Sequence, residues 1–188
     1  AHYYPGAANF ITKLIVDRNS KKLLGAQVLG PGAVDKMIDI AVTAISLGAS
    51  IDQLDNMDLA YAPPFSTAIH PFVAAIQILQ NKLEGKLVSM TPAEYMQNRG
   101  KGYYIIDVSQ VPALPEAHFV DVAAVNGPLE GVPLDKEILL ICTKGKRSYL
   151  LQQRLRHFGY TNTKVLEGAL WVNEPPLETE STNEGMDK

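Results

Sequence analysis

The segment Cys142-Thr143-Lys144-Gly145-Lys146-Arg147-Ser148 places the only cysteine of the chain where a strand should give way to a helix. Upstream, Glu137 to Ile141 is a short apolar run of the kind that forms a buried strand; downstream, Leu151, Leu155 and Phe158 recur at helical spacing. A thiol on such a loop faces backbone N–H groups and the positive end of a helix, a setting that favours a nucleophilic thiolate. Charge agrees with this. Between Ile138 and Leu166 the basic residues Lys144, Lys146, Arg147, Arg154, Arg156 and Lys164 are interrupted by no Asp or Glu, although the whole chain has a formal net charge of −3. A lone cysteine is otherwise a small buried apolar side chain; the strand-end position, Gly145 and the three flanking cations favour the reactive thiol. The planar fork of Arg147 suits an anion, whereas Lys144 and Lys146 are equally well explained as solvated surface charge. The candidate site is therefore Cys142 as nucleophile, with Thr143, Lys144, Gly145, Lys146, Arg147 and Ser148 around the group it acts on.

Composition narrows the setting. A chain of 188 residues, 46% hydrophobic and 20% charged, has the make-up of a soluble globular protein. No apolar run approaches the length that crosses a membrane. One cysteine excludes an intramolecular disulfide and a cysteine-based zinc site, and His2, His70, His118 and His157 show no ligand spacing, so no metal is expected. Reducing, cytoplasmic surroundings fit this cysteine usage. The basic stretch is short and sits in an acidic chain, which argues against nucleic-acid binding. No signal peptide is visible, and the absence of an initiator Met before a sequence that reads as mid-fold points to a piece of a longer polypeptide.

The elements that must position the loop divide near Lys86 to Thr91. Phe10 to Val16 and Leu23 to Leu29 read as a hairpin around the polar turn Asp17 to Lys22. Val34, Met37, Ile38, Ala41, Val42 and Ile45 form the stripe of an amphipathic helix that stops at Gly48. Ser50 with Gln53 reads as a capping box on a shorter helix, and His70 to Leu83 as a second long helix ending at Gly85. In the second half, Thr91-Pro92-Ala93-Glu94 marks a capped helix start. Tyr103 to Val108, an ambiguous stretch from Phe119 to Val125, the Glu137 to Ile141 strand, the helix to Phe158 and Lys164 to Leu166 follow. Such alternation favours a parallel sheet, whose ligand sites lie at strand carboxyl ends, where Cys142 falls. Gly25, Gly32 and Gly85 lack any phosphate-cradling spacing.

With these residues in place, two resemblances emerge. The loop Cys142-Thr143-Lys144-Gly145-Lys146-Arg147, preceded by Ile105-Ile106-Asp107-Val108, resembles the rhodanese domain, in which the loop cysteine takes up a sulfane sulfur as a persulfide and passes it to a thiophilic acceptor. Ser109 stands where many rhodaneses have an arginine, and Glu116-Ala117-His118-Phe119 is only loosely similar to their usual Gly-His-Ile stretch. Asp107 reads either as a partner for a cation or as a strand-end cap. The first half, from Tyr3-Tyr4-Pro5-Gly6 through Leu24-Gly25-Ala26-Gln27 to Ala60-Tyr61-Ala62-Pro63-Pro64-Phe65-Ser66, is similar to the C-terminal dimerisation domain of flavoprotein pyridine nucleotide-disulfide reductases, in the coenzyme A-disulfide reductase and NADH oxidase branch. That resemblance implies a homodimer and gives Tyr3 and Tyr61 a role near the partner subunit's substrate thiol, with interface packing as the rival reading. His70-Pro71 resembles the His-Pro of glutathione reductase-like enzymes, but Ala75 occupies the position of their partner glutamate, so His70 is read as structural.

The expected organisation is two domains: an α+β reductase dimerisation domain over 1–87, an α/β rhodanese-like domain with a mainly parallel sheet over 88–176, and an acidic, disordered tail over 177–188. The expected function is that of the C-terminal region of a disulfide, persulfide or polysulfide reductase bearing a sulfurtransferase site at Cys142. FAD and NAD(P)H are implied for the full-length protein and no cofactor for this piece; the implied partners are a sulfane-sulfur donor and a thiol acceptor such as coenzyme A. Two alternatives stand: a catalytically silent dimerisation and sulfur-carrier docking module, and a rhodanese-like phosphatase, disfavoured by a loop with four residues between Cys142 and Arg147 where such phosphatases have five.

Overall fold

A computed structural model describes residues 3–175, and these fall into two compact units divided between Gly85 and Lys86. The expected tail at 177–188 lies outside the described residues.

In the first unit, β1 (Ile11–Val16) and β2 (Leu23–Leu29) form an antiparallel hairpin that pairs Ile11 with Leu29 and carries a register shift at Ile15/Val16. Asp17 anchors the polar turn by accepting bonds from the Ser20 N–H and hydroxyl, each 2.7 Å. Helix α1 (Val34–Ser46) buries Met37, Ala41 and Ala44 with this hairpin; the stripe holds at Met37 and Ala41, whereas Val42 is exposed because the buried face runs through Ala44 instead. Helix α2 (Ile51–Asp55) begins with the capping box: Gln53 Oε1 accepts from Ser50 N at 2.9 Å, while Ser50 Oγ accepts from Gln53 N at 3.4 Å. Helix α3 (Pro71–Leu83) follows, capped by His70 and ended near Gly85, whose φ of +69° suits glycine. Leu23, Met37, Ile51, Leu54, Phe72 and Ile76 make the shared core.

The second unit is a five-stranded, wholly parallel sheet in the order β3-β7-β6-β4-β5. Its members are β3 (Ser89–Met90), β4 (Tyr104–Asp107), β5 (His118–Phe119), β6 (Ile138–Ile141) and β7 (Thr163–Leu166). Helix α4 (Pro92–Asn98) starts at the Thr91/Glu94 capping box, α5 (Lys146–His157) follows β6, and the short α6 (Ala169–Val172) follows β7. Every residue of β6 is buried, as a central strand covered on both faces requires, which is why its sequence is an unbroken apolar run. The stretch read as ambiguous resolves into edge strand β5 and a 3₁₀ turn, Val122–Ala124, capped by Asp121. Strand β3 and helix α6 are too short to leave a period in the sequence and were not anticipated.

Two buried polar side chains tie the frame together. Gln152 of α5, fully buried, donates to Val88 O at 2.7 Å and Thr163 O at 2.9 Å, and accepts from Val88 N at 3.2 Å. Tyr160 donates to Val132 O at 2.7 Å and accepts from Leu129 N at 3.0 Å, pinning the connection that leads into β6. Gln152 thereby ties helix α5 to the β3 and β7 side of the sheet.

Candidate functional site

Cys142 is the first residue beyond β6, at the carboxyl end of the central strand. Its side chain is only 2% exposed, and Sγ accepts the Gly145 N–H at 3.0 Å. Gly145 caps α5 with φ +92°, a left-handed conformation that a Cβ would strain even though the space around it is open. The loop therefore turns its backbone N–H onto the sulfur because a glycine sits at that point. The Cys142 carbonyl accepts from Leu170 N at 3.1 Å, which joins the site to α6.

Strand β4 delivers the second wall. Asp107 is fully buried and accepts three backbone N–H bonds, from Ser109 at 2.8 Å, Ala113 at 2.6 Å and Leu114 at 3.0 Å. Of the two readings left open by the sequence, the geometry is that of a strand-end cap, holding the loop beside Cys142 through its amides. Ser109 is buried and its Oγ lies 3.5 Å from the Thr143 hydroxyl.

The cations of the loop have different fates. Arg147 turns its guanidinium onto the β4 and β5 ends: Nε donates to Val108 O at 2.7 Å and Nη2 to Asp121 Oδ1 at 2.9 Å. Lys144 Nζ lies 5.9 Å from the centroid of the Trp171 ring on α6, within cation–π reach. Lys146 is exposed at the first turn of α5. Ser148, one residue beyond Arg147, is buried, and among the described residues its Oγ has no hydrogen-bond partner. Thr143, Lys144 and Lys146 thus stand at the exposed rim, and Cys142 and Ser148 are buried beneath it.

In the first unit the structure brings Tyr3 and Tyr61 together. The Tyr61 phenol is pushed above its usual value of 10.0 by burial and then by the neighbouring Tyr3 phenol, to which it is hydrogen-bonded. Both rings remain at least half exposed, at 67% and 50%. His70 is buried and accepts the Phe72 N–H on Nδ1 at 3.2 Å, the N-cap of α3. Burial, and then the charge of Lys36, lowers its pKa below 6.5.

An open cavity of about 270 Å³ is lined by Phe119 to Asp121 and Ala124 to Glu130; Cys142 is not among its lining residues. Among the described residues no cluster of His, Cys, Asp and Glu could hold a metal ion, and no helix is long and apolar enough to cross a membrane. Asp121 and Trp171 were missed by the sequence reading. Asp121 lay in the ambiguous stretch, and the sequence carries no sign that it meets Arg147; Trp171 is the single tryptophan, yet its helix is too short to show.

Residues 1–72 match the pyridine nucleotide-disulphide oxidoreductase dimerisation domain family. A coenzyme A disulfide reductase of Staphylococcus haemolyticus is 41% identical over 71 residues, 38% of this chain and 16% of that protein. A CoA-dependent NAD(P)H sulfur oxidoreductase of Pyrococcus furiosus is 35% identical over 79 residues, 42% of this chain and 18% of that protein. Two solved structures align with 90% of the chain at TM-score 0.80: an NAD-dependent persulfide reductase from A. fulgidus, 37% identical, and reduced Bacillus anthracis CoADR-RHD, 31% identical. The chain spans 31% of each of those two structures.

Proposed function

We propose that this chain, an oxidoreductase dimerisation domain followed by a rhodanese-like domain, takes up sulfane sulfur on Cys142 and hands it to a thiol, as the C-terminal part of a flavin-dependent disulfide, persulfide or polysulfide reductase. The observation that carries this reading is the placement of Cys142. Its sulfur sits at the carboxyl end of the central strand and accepts the Gly145 N–H at the start of α5, with a buried Ser148 hydroxyl nearby in the chain that has no hydrogen-bond partner among the described residues. Backbone N–H groups and a helix N-terminus are suited to sulfur that carries negative charge.

The transfer proceeds in two displacements. The Cys142 thiolate attacks the outer sulfur of a donor persulfide; the donor S–S bond breaks and the donor leaves as a thiolate, which takes a proton from water. Cys142 then bears the extra sulfur as a persulfide anion, held by the loop N–H groups, Ser148 and the rim cations Lys144 and Lys146, with Thr143 and Arg147 shaping the loop. In the second step an acceptor thiolate attacks the outer sulfur and Cys142 departs as thiolate. No second cysteine exists in the chain to resolve the persulfide, so the acceptor is an external thiol such as coenzyme A.

In this reading FAD and NAD(P)H serve the flavoprotein of which this chain is a part, in keeping with its similarity to NAD(P)H-dependent sulfur oxidoreductases. The first unit forms the homodimer, and the paired Tyr3 and Tyr61 face the partner subunit's substrate thiol. A second reading, a silent docking module, draws on the 2% exposure of Cys142 and on the engagement of Arg147 by Asp121. Intact-mass analysis separates the two. Incubation with a persulfide or polysulfide should add one sulfur, roughly 32 Da, to the chain and none to Cys142→Ser, and added thiol should remove it. No mass gain from any donor would leave the docking module as the better account.

A further inference from the structure

Arg147 is placed to serve the Cys142 loop by sequence, yet its guanidinium is spoken for. Nη2 pairs with Asp121 at 2.9 Å and Nε donates to Val108 O at 2.7 Å. Asp121 is held in turn, because the same Oδ1 accepts the Ala123 N–H at 3.1 Å and caps the 3₁₀ turn. The carboxylate is therefore a fixed part of the frame, and its charge offsets that of Arg147. Among the described residues no carboxylate pairs with Lys144 or Lys146, so these two supply the uncompensated positive charge of the loop. On the β4 side the neighbour is neutral: Ser109, 1% exposed, turns its hydroxyl to Thr143.

Such a site has reduced positive charge for an anion to meet. An alkyl persulfide, RSS⁻, carries one negative charge; thiosulfate carries two, with the second spread over a sulfonate-like group that a free guanidinium fork would bind well. We infer that Asp121 is a specificity-determining residue: by pairing with Arg147 it tunes the Cys142 site towards singly charged persulfide donors and against dianionic thiosulfate. This rests on the reading of Cys142 as the sulfur acceptor. With thiosulfate the thiolate attacks the outer sulfur, the S–S bond breaks and sulfite leaves with the electron pair; with a persulfide the leaving group is a thiolate. The chemistry at Cys142 is the same in both, so the ratio of the two rates isolates recognition of the donor.

The test loads the 188-residue chain with glutathione persulfide or with thiosulfate and follows the sulfur gain on Cys142 by intact mass. Asp121→Asn retains the size of the side chain and a capping oxygen but removes the charge. Removing one unit charge beside the loop alters the relative rate of a dianion over a monoanion by roughly three- to tenfold. The expected result is a rise of that size in the thiosulfate-to-persulfide ratio, diminishing on added salt because the pair is partly exposed. Asp121→Glu, which restores the charge, should return the ratio towards that of the parent. A ratio unchanged within about twofold in Asp121→Asn, with Cys142 still loading, overturns the inference and leaves the sulfur-transfer reading standing; failure of both donors to load the parent chain overturns both.

Discussion

Replacing Ser148 by Ala should make the second unit more stable and the sulfur transfer slower, an opposition that few substitutions produce. Ser148 lies in the first turn of α5, is 1% exposed, and its hydroxyl has no partner among the described residues. A buried hydroxyl deprived of a hydrogen bond costs about 1–3 kcal/mol. Alanine adds roughly 0.5 kcal/mol of helix propensity over serine. Against these stands the loss of a few dispersion contacts, so the net expectation is a gain of about 1–2 kcal/mol. Trp171, the only tryptophan, lies in the second unit and is half exposed, so its fluorescence in urea reports the unfolding of that unit. The midpoint should rise with an unchanged slope. Persulfide formation on Cys142 should slow by about tenfold, the value of one hydrogen bond of roughly 1.4 kcal/mol to the charged sulfur. A loss of stability together with unchanged transfer would refute the reasoning, since it would show that the hydroxyl has a structural partner and no role towards the bound sulfur.

Asp107→Asn should destabilise the second unit by about 3 kcal/mol, because an amide NH₂ replaces one of two oxygens that together accept three backbone N–H bonds in a fully buried site. Trp171 fluorescence in urea checks it, and a change under about 1 kcal/mol would mean the loop is held by other contacts. His70 gives the first unit a pH dependence. Its folded pKa is lowered below 6.5, so the unfolded chain binds the proton first and stability falls as pH drops through 6.5 towards the folded value. Above 6.5 both states are neutral there and this effect vanishes. Asn at position 70 keeps a capping oxygen without titrating, so urea unfolding followed by circular dichroism should show a shallower loss between neutral and mildly acidic pH in His70→Asn; an identical slope would assign the loss to other groups. For assembly, light scattering at micromolar concentration should give twice the mass of one chain, and a monomer would contradict the proposed homodimer.

The parts of this fold that were legible in sequence are those where one local rule governs. The α1 stripe, the Ser50/Gln53 and Thr91/Glu94 boxes and the apolar run of β6 each reflect a single requirement, to bury a face or satisfy helix N–H groups, and each appears where the pattern predicts except that Val42 of the stripe is exposed and Ala44 buried. The position of Cys142 followed from the same logic, since a strand end and a helix start fix the loop between them. What escaped was set by pairings distant in sequence. Nothing in the sequence marks Gln152 as buried, and only the fold reveals that Val88 and Thr163 offer it three bonds across the sheet edge. Arg147 reads as a free cation because Asp121 lies 26 residues away, beyond a loop with no period. The two-residue β3 pairs with β7 through backbone bonds that impose no side-chain pattern.

The burial of Cys142 also bears on the proposed sulfur transfer. At 2% exposure Sγ is poorly placed for attack by a bulky thiol, so mixed disulfides at Sγ itself are hindered. In the proposed persulfide the transferred sulfur stands about 2 Å beyond Sγ along the S–S bond, on a loop whose Thr143, Lys144 and Lys146 are exposed. Attack on that outer atom returns Cys142 to its starting state, whereas attack on the buried atom would strand it as a disulfide. The Gly145 N–H bonds Sγ directly, the Leu170 N–H bonds the Cys142 carbonyl, and the cap at Asp107 holds the end of the neighbouring strand β4. Under the proposed transfer, this depth favours attack on the outer sulfur, the outcome that a chain with a single cysteine requires.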